Sequence, residues 1–237
     1  MEKGVSVYQN HAHSKRISTI AANVNNCNLL ATGSKDKTIK LFDLRTKNSV
    51  RSFIGHKQEV CGLKWSPDLD ILASGGNDNK VFLWSPSNES AMLRIDDHNA
   101  AVKALAWSTR KRGLLTTGGG TNDTTLKFWN VLMDKKFLKE TWTGSQVCNV
   151  MFAKTVDEVV STHGFEKNEI VVWDYKNLER KKTLDGHLFR VLYLCMSPNG
   201  RFVCTGSGDE TLKFWDVFPE ERKKRVSLLY EMRGDLR

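Results

Sequence analysis

Long apolar runs are the first thing missing from this chain of 237 residues. Nothing in it approaches the roughly eighteen consecutive apolar residues of a membrane-spanning helix. The N-terminal stretch, residues 1–8, also lacks the apolar core of a secretory signal peptide. The sequence therefore predicts no membrane segment and no secretory leader.

Cysteine is scarce, and the motifs that carry catalysis are missing. The five cysteines include no C-x-x-C pair. Most of them fall in strand-like apolar runs, so we expect reduced, buried thiols of an intracellular protein. There is no G-x-S-x-G, Walker loop, zinc ligand pair or paired-carboxylate arrangement. We predict no metal, no cofactor and no enzymatic activity.

Acidic residues are fewer than basic ones, which leaves a formal net charge of +9 and a pI near 9.3. Such a balance fits either an acidic partner or a basic surface spread over many loops. The lysines are distributed along the chain, and the aromatic-plus-glycine pattern of an RNA-binding module is missing. We therefore predict no nucleic-acid partner and no membrane partner.

What the chain does contain is a repeated unit. Its last copy opens at Gly186-His187 and closes at Trp215-Asp216. Between these ends we predict strands at Val191–Met196, Arg201–Thr205 and Thr211–Trp215, because turn residues separate three apolar runs. An opening Gly-His and a closing Trp-Asp at this spacing are the signature of the WD repeat. Each WD repeat forms one four-stranded blade of a β-propeller.

Five copies follow one another, with histidines on a period of about 42–44 residues. We therefore predict an all-β protein, a WD-repeat β-propeller with about five blades. The predicted blades are residues 11–54, 55–96, 97–141, 142–184 and 185–218. Residues 1–10 are predicted as a residual strand of a preceding blade, and residues 219–237 as a basic C-terminal tail ending in Leu-Arg.

The spacing also predicts a structural network inside each blade. A loop histidine, a hydroxyl on the second strand, a turn aspartate and the closing tryptophan are placed to hydrogen-bond one another, and such a buried set is stable only when every member is satisfied. The predicted members are His56, Ser74, Asp78 and Trp84; His98, Thr117, Asp123 and Trp129; and His187, Thr205, Asp209 and Trp215. The first repeat has Phe42 in place of tryptophan. The fourth has Gly144 and Lys167 in the matching places, which predicts that it lacks the network.

Polar residues beside this network are the candidates for binding a partner. They are Asn77, Thr121, Gln146, Arg190 and Glu210. Each lies next to a network turn or just before an inner strand, so we expect all five on one face, where loops of every blade converge. The alternative is that they are ordinary solvated loop residues.

Several stretches are more specific than a generic repeat. They are His56–Pro67, Leu72–Asn79, Ala100–Ala104, Gly118–Asp123, Thr143–Asn149, Ser161–Phe165, Arg190–Leu194 and Gly208–Leu212. Together they closely resemble the fizzy and fizzy-related activators of the anaphase-promoting complex, a ubiquitin ligase. The resemblance covers about residues 10–218. The versions at Thr143–Val147 and Arg190–Leu194 look more like the fizzy-related branch.

The resemblance implies a seven-bladed propeller of which this chain carries the last five blades. This chain has no C-box-like Asp-Arg-Phe-Ile-Pro stretch and lacks the first two blades, so we expect a fragment, a truncated product or a degenerate relative. The implied function is substrate recognition as a coactivator of the ligase in the cell cycle. The alternative is a WD-repeat scaffold or competitor without degron-dependent activation. A location in nucleus and cytoplasm and a monomeric state apart from the ligase are also expected.

The resemblance assigns roles to individual residues. It implies that Asn77, Thr121, Gln146 and Arg190 bind the KEN degron of cell-cycle proteins, and that Glu210 contributes an acid to a destruction-box site. Family members end in Ile-Arg, which docks on a subunit of the anaphase-promoting complex. Leu236-Arg237 keeps an apolar residue before a terminal arginine, so docking on the ligase is expected there.

Overall fold

The computed structural model describes residues 9–46, 48–133, 136–165 and 167–218. They form nineteen strands in five separate antiparallel sheets, with no helix in the part of the chain described. In each sheet the strands follow one another in chain order, as expected of propeller blades. The all-β prediction and the partial propeller are confirmed. We number the sheets blade 1 to blade 5 in chain order.

The strand bounds show four blades with four strands and a fifth with three. Blade 1 contains β1 (Ile17–Ala22), β2 (Leu29–Ser34), β3 (Thr38–Asp43) and β4 (Asn48–Ile54). Blade 2 contains β5 (Val60–Trp65), β6 (Leu72–Gly76), β7 (Val81–Trp84) and β8 (Leu93–Ile95). Blade 3 contains β9 (Val102–Trp107), β10 (Leu114–Gly119), β11 (Thr125–Asn130) and β12 (Lys136–Trp142). Blade 4 contains β13 (Val147–Phe152), β14 (Glu158–His163), β15 (Ile170–Asp174) and β16 (Arg180–Leu184), and blade 5 contains β17 (Val191–Met196), β18 (Phe202–Ser207) and β19 (Leu212–Asp216).

The turn between the last two strands lies two residues later than the sequence predicts. We predicted that the second strand of blade 5 ends at Thr205, but β18 continues to Ser207. The cause is a bulge in β17, after which Tyr193 pairs with Gly206 and Val191 pairs with Ser207. The glycine is therefore a strand residue, and the chain turns only after the bulge has been accommodated.

The hydrophobic core lies between neighbouring blades. On the third strand of each of the first four blades, the residues one and three positions before the closing aromatic are fully buried. These residues are Ile39, Leu41, Val81, Leu83, Leu126, Phe128, Ile170 and Val172. They pack against the inner strands of the following blade, so each blade is covered by the next.

Blade 5 breaks this pattern. Leu212 and Phe214 occupy the same two positions before Trp215, yet they are 71% and 74% exposed. The local sequence is not the cause, because Leu-Lys-Phe-Trp occurs both at Leu126–Trp129 and at Leu212–Trp215. Among the described residues no further blade covers this face, which is why the same side chains remain in water.

Two tryptophans tie the inner strands of successive blades together. The indole Nε1 of Trp65 in β5 donates to the carbonyl of Ala21 in β1 at 3.1 Å. In the same way, Nε1 of Trp107 in β9 donates to the carbonyl of Lys64 in β5 at 3.0 Å. These bonds link the inner strands of the first three blades to one another.

The structure tests the predictions about the chain ends, the membrane segment and the cysteines only in part. Residues 1–8 of the predicted residual strand and the whole tail, 219–237, lie outside the described residues, and the predicted blade boundaries stay a prediction. No helix in the described part is long and apolar enough to cross a membrane. All five cysteines are free, but Cys27 and Cys195 are exposed, so the expectation of buried thiols is wrong for these two. Cys195 lies on the uncovered face of blade 5.

Candidate binding face of the propeller

The residues that hold each blade together form a hydrogen-bonded set. In blade 2, Nδ1 of His56 lies 2.9 Å from a carboxylate oxygen of Asp78, and Nε2 lies 2.8 Å from Oγ of Ser74. The indole Nε1 of Trp84 donates to the same Ser74 oxygen at 2.8 Å. A carboxylate can only accept, so Nδ1 of His56 donates to Asp78. The turn, the loop and two strands are thereby joined at one buried point.

Blades 3 and 5 repeat this geometry. His98 and His187 lie 2.6 and 2.8 Å from the hydroxyls of Thr117 and Thr205, respectively. Their Nδ1 atoms lie 2.8 and 2.9 Å from Asp123 and Asp209. Trp129 and Trp215 donate to the same two threonine oxygens. Blade 1 has the same set built on His13, Thr32 and Asp36, but Phe42 has no indole N–H to add.

The aspartates of these sets are held ionised. The Thr211 hydroxyl, the backbone N–H of Leu188 and the imidazole of His187 donate to Asp209 and lower the pKa of its carboxyl group well below the ordinary value. At Asp123 burial opposes ionisation, but hydrogen bonds, chiefly from His98, outweigh it and lower the pKa. Because these carboxylates already receive several donors, they are structural members of the blade.

Blade 4 contains a network that the sequence did not predict. His163, the last residue of β14, places Nε2 2.7 Å from Oγ of Ser161, and Nε1 of Trp173 donates to the same oxygen at 2.7 Å. In blade 2 the matching strand position is Gly76, where an added Cβ would meet the His56 ring at 2.5 Å. A side chain at this position therefore points into the imidazole site. The prediction that repeat four lacks the network is wrong for the bonds among histidine, serine and tryptophan, because a strand histidine replaces the loop histidine, but the turn aspartate is missing as predicted.

The His163 imidazole differs from the others in its charge environment. Lys167 occupies the place of the aspartate, six residues before Trp173. Burial, with the cations of Arg180 and Lys167, lowers the pKa of His163 to about 3. Its Nδ1 atom has no hydrogen-bond partner among the described residues. This histidine is therefore neutral at physiological pH.

The residue that follows each turn aspartate has a left-handed backbone. Lys37, Asn79, Thr124 and Glu210 have φ between 53° and 75°, and Asn168 in blade 4 has φ 48°. This conformation closes the turn tightly, and the threonine that follows in blades 1, 3 and 5 donates its hydroxyl to the turn aspartate. Glu210 is exposed in this position, so its carboxylate faces solvent beside Asp209.

Backbone bonds place three of the candidate residues, Asn77, Gln146 and Arg190, at one end of their blades, where Thr121 and Glu210 follow the second strands. The N–H of Asn77 donates to the carbonyl of Glu59 just before β5, and the N–H of Gly164 donates to that of Gln146 just before β13. Likewise, the N–H of Gly208 donates to the carbonyl of Arg190 just before β17. The loop before each inner strand therefore lies beside the turn that ends the second strand.

Gln146 and Arg190 are the two candidates that the structure brings together. A Cβ added at Gly164 would lie 2.8 Å from Cγ of Arg190 and 3.0 Å from Oε1 of Gln146, so both side chains lie over this glycine. The Gln146 oxygen is buried without a hydrogen-bond partner in the described structure. The Arg190 guanidinium lies 4.6 Å from the ring centre of Phe165 and makes no ion pair with any described residue.

The other three candidates lie separately. Asn77 lines a cavity of about 400 Å³ with Cys61 and Lys103. Thr121 and Glu210 are exposed in the turns of blades 3 and 5, and no described contact joins them to Gln146 or Arg190. The structure thus shows a rim of residues around the channel and one closely packed pair.

Lys103 is a residue of this rim that sequence reasoning did not single out. It is exposed at the start of β9, shares the cavity with Asn77, and places Nζ 5.8 Å from the ring centre of Tyr193 in blade 5. Like Arg190, it makes no ion pair in the described parts of the chain. The only sequence signal was its place after the inner-strand start, which every blade shares. Two uncompensated cations on one rim favour an acidic ligand.

The remaining predictions about sites concern metals and the tail. Within the described ranges no group of three or more histidines, cysteines or carboxylates is placed to hold a metal ion. Leu236 and Arg237 lie outside the described residues, so their role in docking stays a prediction.

Comparison with known proteins agrees with the WD-repeat fold. The family model described as the CDC20/Fizzy WD40 domain matches residues 1–215. The chain belongs to this family. It is 50% identical over 197 residues to "Protein FIZZY-RELATED 1" of Arabidopsis thaliana, covering 83% of this chain and 41% of that protein. It is 38% identical over 260 residues to "Anaphase-promoting complex subunit cdh1" of Dictyostelium discoideum, covering 96% of this chain and 34% of that protein.

A solved structure has the same fold. The "Crystal Structure of Mitotic Checkpoint Complex" contains a chain that is 36% identical and superposes with a TM-score of 0.85, over 90% of this chain and 65% of that one. This chain spans less than half the length of the two relatives named above. Their names support the predicted membership of the fizzy-related branch.

Proposed function

We propose that this chain is the substrate-recognition region of a coactivator of the anaphase-promoting complex, and that it presents degrons of cell-cycle proteins to the ligase. Family membership supports this, since relatives bear the names of fizzy-related proteins and of a subunit of that complex. The solved neighbour is titled as a mitotic checkpoint complex. The role is that of an adaptor and not of an enzyme.

The observation that carries the proposal is the state of Arg190. Its guanidinium is exposed, is held against Phe165, and has no carboxylate partner among the described residues. A stacked guanidinium still offers its N–H edge, and a carboxylate can take two parallel hydrogen bonds from it. The glutamate of a Lys-Glu-Asn degron is a ligand of this chemistry.

Amide recognition completes the proposed degron site. Gln146 lies beside Arg190 with an oxygen that has no partner in the described structure, and this oxygen can accept from the amide of a degron asparagine. Asn77 and Thr121 lie at the same end of neighbouring blades and supply an amide and a hydroxyl. A peptide lying across the channel mouth would reach these groups in turn.

The test is a titration of a labelled peptide with a Lys-Glu-Asn core against the intact chain and an Arg190→Ala variant. Loss of a charge-assisted pair is expected to weaken binding by roughly tenfold or more. Arg201→Ala is the matched control, because Arg201 is in the same blade but pairs with Asp216 at 2.5 Å. Equal affinity for wild type and Arg190→Ala would rule out this site.

Two further parts of the proposal are tested separately. Glu210 is proposed to receive the arginine of a destruction box, so Glu210→Gln should weaken a destruction-box peptide and leave the Lys-Glu-Asn peptide unchanged. Leu236-Arg237 is proposed to dock on the ligase, so a chain lacking these two residues should no longer be retained by the purified complex. Retention of that shortened chain would show that Leu236-Arg237 is not needed for docking. The location in nucleus and cytoplasm and the monomeric state remain predictions.

A further inference from the structure

An apolar cavity lies immediately beside Arg190. It has a volume of about 320 Å³ and is placed between the β14–β15 loop of blade 4 and the start of blade 5. Its walls are Phe165, Asn168, Phe189, Arg190, Leu192 and Gly208. A single charged group at the edge of a mainly apolar wall is the usual composition of a ligand pocket.

The apolar walls of this cavity are exposed to solvent. Phe165 is 50% exposed and Phe189 61%, and the adjacent Leu188 is 77% exposed. Single exposed apolar residues are normal on a protein surface, but a contiguous group around a concave site marks an interaction surface. Gly208 keeps the cavity open, because it contributes no side chain to the wall.

Hydrogen bonds hold both walls in place before any ligand arrives. The Asn168 side-chain amide donates to the carbonyl of Leu188 at 2.9 Å, which links the blade 4 loop to the blade 5 loop. The Ser145 hydroxyl lies 2.9 Å from the carbonyl of Phe165 and also contacts that of Gly164. Phe165 itself has φ 29°, an unfavourable backbone for a bulky residue that only surrounding contacts can hold. A cavity fixed in this way loses little entropy on binding.

We propose that this cavity binds a large apolar side chain of the same peptide whose carboxylate is held by Arg190. The inference rests on the proposed function and adds a second specificity element to it. Arg190 both lines the cavity and carries the uncompensated charge, so the two ligand groups must lie close together. An extended peptide advances about 3.3–3.6 Å per residue. The apolar side chain therefore lies within about three residues of the acidic one.

The partner is thus a linear peptide with a glutamate or aspartate next to a leucine, methionine or aromatic residue. Charge favours such a ligand, because the rim cations Lys103 and Arg190 have no acidic partners in the described ranges. A second copy of this chain is a different occupant of the same apolar surface. It is distinguished by the test that follows.

The experiment uses the full chain and a panel of labelled Lys-Glu-Asn peptides. One peptide has alanine at every flanking position, and the others carry a single phenylalanine or leucine at one of the three positions on either side of the glutamate. At one of these positions, the peptide with phenylalanine or leucine is expected to bind five- to twentyfold more tightly than the all-alanine peptide. Phe189→Ala should abolish this gain and leave the affinity for the all-alanine peptide unchanged, while Phe189→Leu should retain most of it.

Gly208→Leu provides an independent variant, since it fills the cavity instead of enlarging it and should also abolish the gain. Thermal unfolding of both variants shows whether they fold. If Arg190-dependent binding persists but no flanking position gives a gain, or the gain survives in Phe189→Ala, the apolar subsite is wrong and the degron site stands. If no peptide binds, both proposals fail. If sedimentation shows a dimer that Phe189→Ala dissociates, the surface is a contact between copies and the peptide subsite is overturned.

Discussion

His163 and Ser161 lie two residues apart on β14, and the imidazole Nε2 of one is 2.7 Å from the hydroxyl oxygen of the other. In the remaining blades the imidazole at this site comes from a loop and is paired with an aspartate. Here it comes from the strand and faces the cations of Lys167 and Arg180. Blade 4 therefore keeps the hydrogen bond to the second strand but not the charge that stabilises an imidazolium.

This arrangement makes stability depend on pH. Burial and the neighbouring cations lower the pKa of His163 to about 3, against 6.5 for an ordinary histidine. Between these values the unfolded chain binds one proton more than the folded chain, so acidification favours unfolding. From pH 7 to pH 5 this histidine alone should remove about 2 kcal/mol of stability. His163→Gln, which does not titrate, should flatten the profile by that amount.

The measurement is urea unfolding of wild type and His163→Gln at several pH values. His11→Gln is the matched control, because His11 is exposed and belongs to none of the blade networks described. Parallel profiles for wild type and His163→Gln would contradict a neutral buried His163. A lower stability of the variant at every pH is compatible with the prediction, since only the difference in slope is at issue.

The shared hydroxyl of a blade network should matter more than an ordinary buried hydroxyl. Thr117→Val leaves Nε2 of His98 and Nε1 of Trp129 without their common partner. Each buried unpaired group costs about 1–3 kcal/mol, so a loss of about 2–5 kcal/mol is expected. Thr116→Val is the matched control on the same strand, because Thr116 is equally buried but donates only to the carbonyl of Lys127.

Denaturant unfolding compares these two variants with wild type. Thr116→Val should cost about 1 kcal/mol, the worth of a single ordinary hydrogen bond. Thr117→Ser should recover most of the loss, because it restores the hydroxyl and omits only a methyl group. Equal losses in the two valine variants would show that the network adds nothing beyond its separate bonds.

Gly164 controls the placement of the two candidate side chains that meet. A methyl group at this position would lie 2.8 Å from Cγ of Arg190, which is a flexible side chain and can move aside. Gly164→Ala is therefore expected to leave unfolding nearly unchanged and to weaken the Lys-Glu-Asn peptide severalfold. In the Arg190→Ala background the same substitution should have a smaller effect, because only the contact with Gln146 remains. Undiminished affinity of the single variant would show that the position of Arg190 over Gly164 is irrelevant to binding.

The sequence predicted the repeat, the blade type and the loop–turn proximity because each depends on spacing within one unit. The closing aromatic residue, for example, is six residues after the turn aspartate in every copy that has one, as Trp84 is after Asp78. It could not predict the role of His163. The side chain at the last position of β14 points into the imidazole site, and only the three-dimensional structure shows this. Spacing predicted Gln146 and Arg190 on one face, but it could not show that the two side chains pack over Gly164, since they belong to different blades and meet only when the blades pack.

The largest contrast between sequence and structure is the Leu-Lys-Phe-Trp stretch that occurs twice. Phe128 in blade 3 is fully buried against blade 4, whereas Phe214 in blade 5 is 74% exposed. Nothing within the stretch distinguishes the two, because burial is decided by whether a neighbouring blade packs on that face. Phe128→Ala is therefore expected to cost about 3–5 kcal/mol, and Phe214→Ala less than about 1 kcal/mol.

Leu126 and Leu212 form a second matched pair at the preceding buried-face position, and the same difference is expected between Leu126→Ala and Leu212→Ala. Urea unfolding of the four variants measures all the losses in one protein and with identical chemical changes. If Phe214→Ala and Leu212→Ala destabilise the chain as much as their counterparts, the face of blade 5 is covered in solution. Small losses in blade 5, with large losses in blade 3, would establish that the repeat places the same apolar side chains in both blades. These side chains would then stabilise the folded chain only where a neighbouring blade covers them.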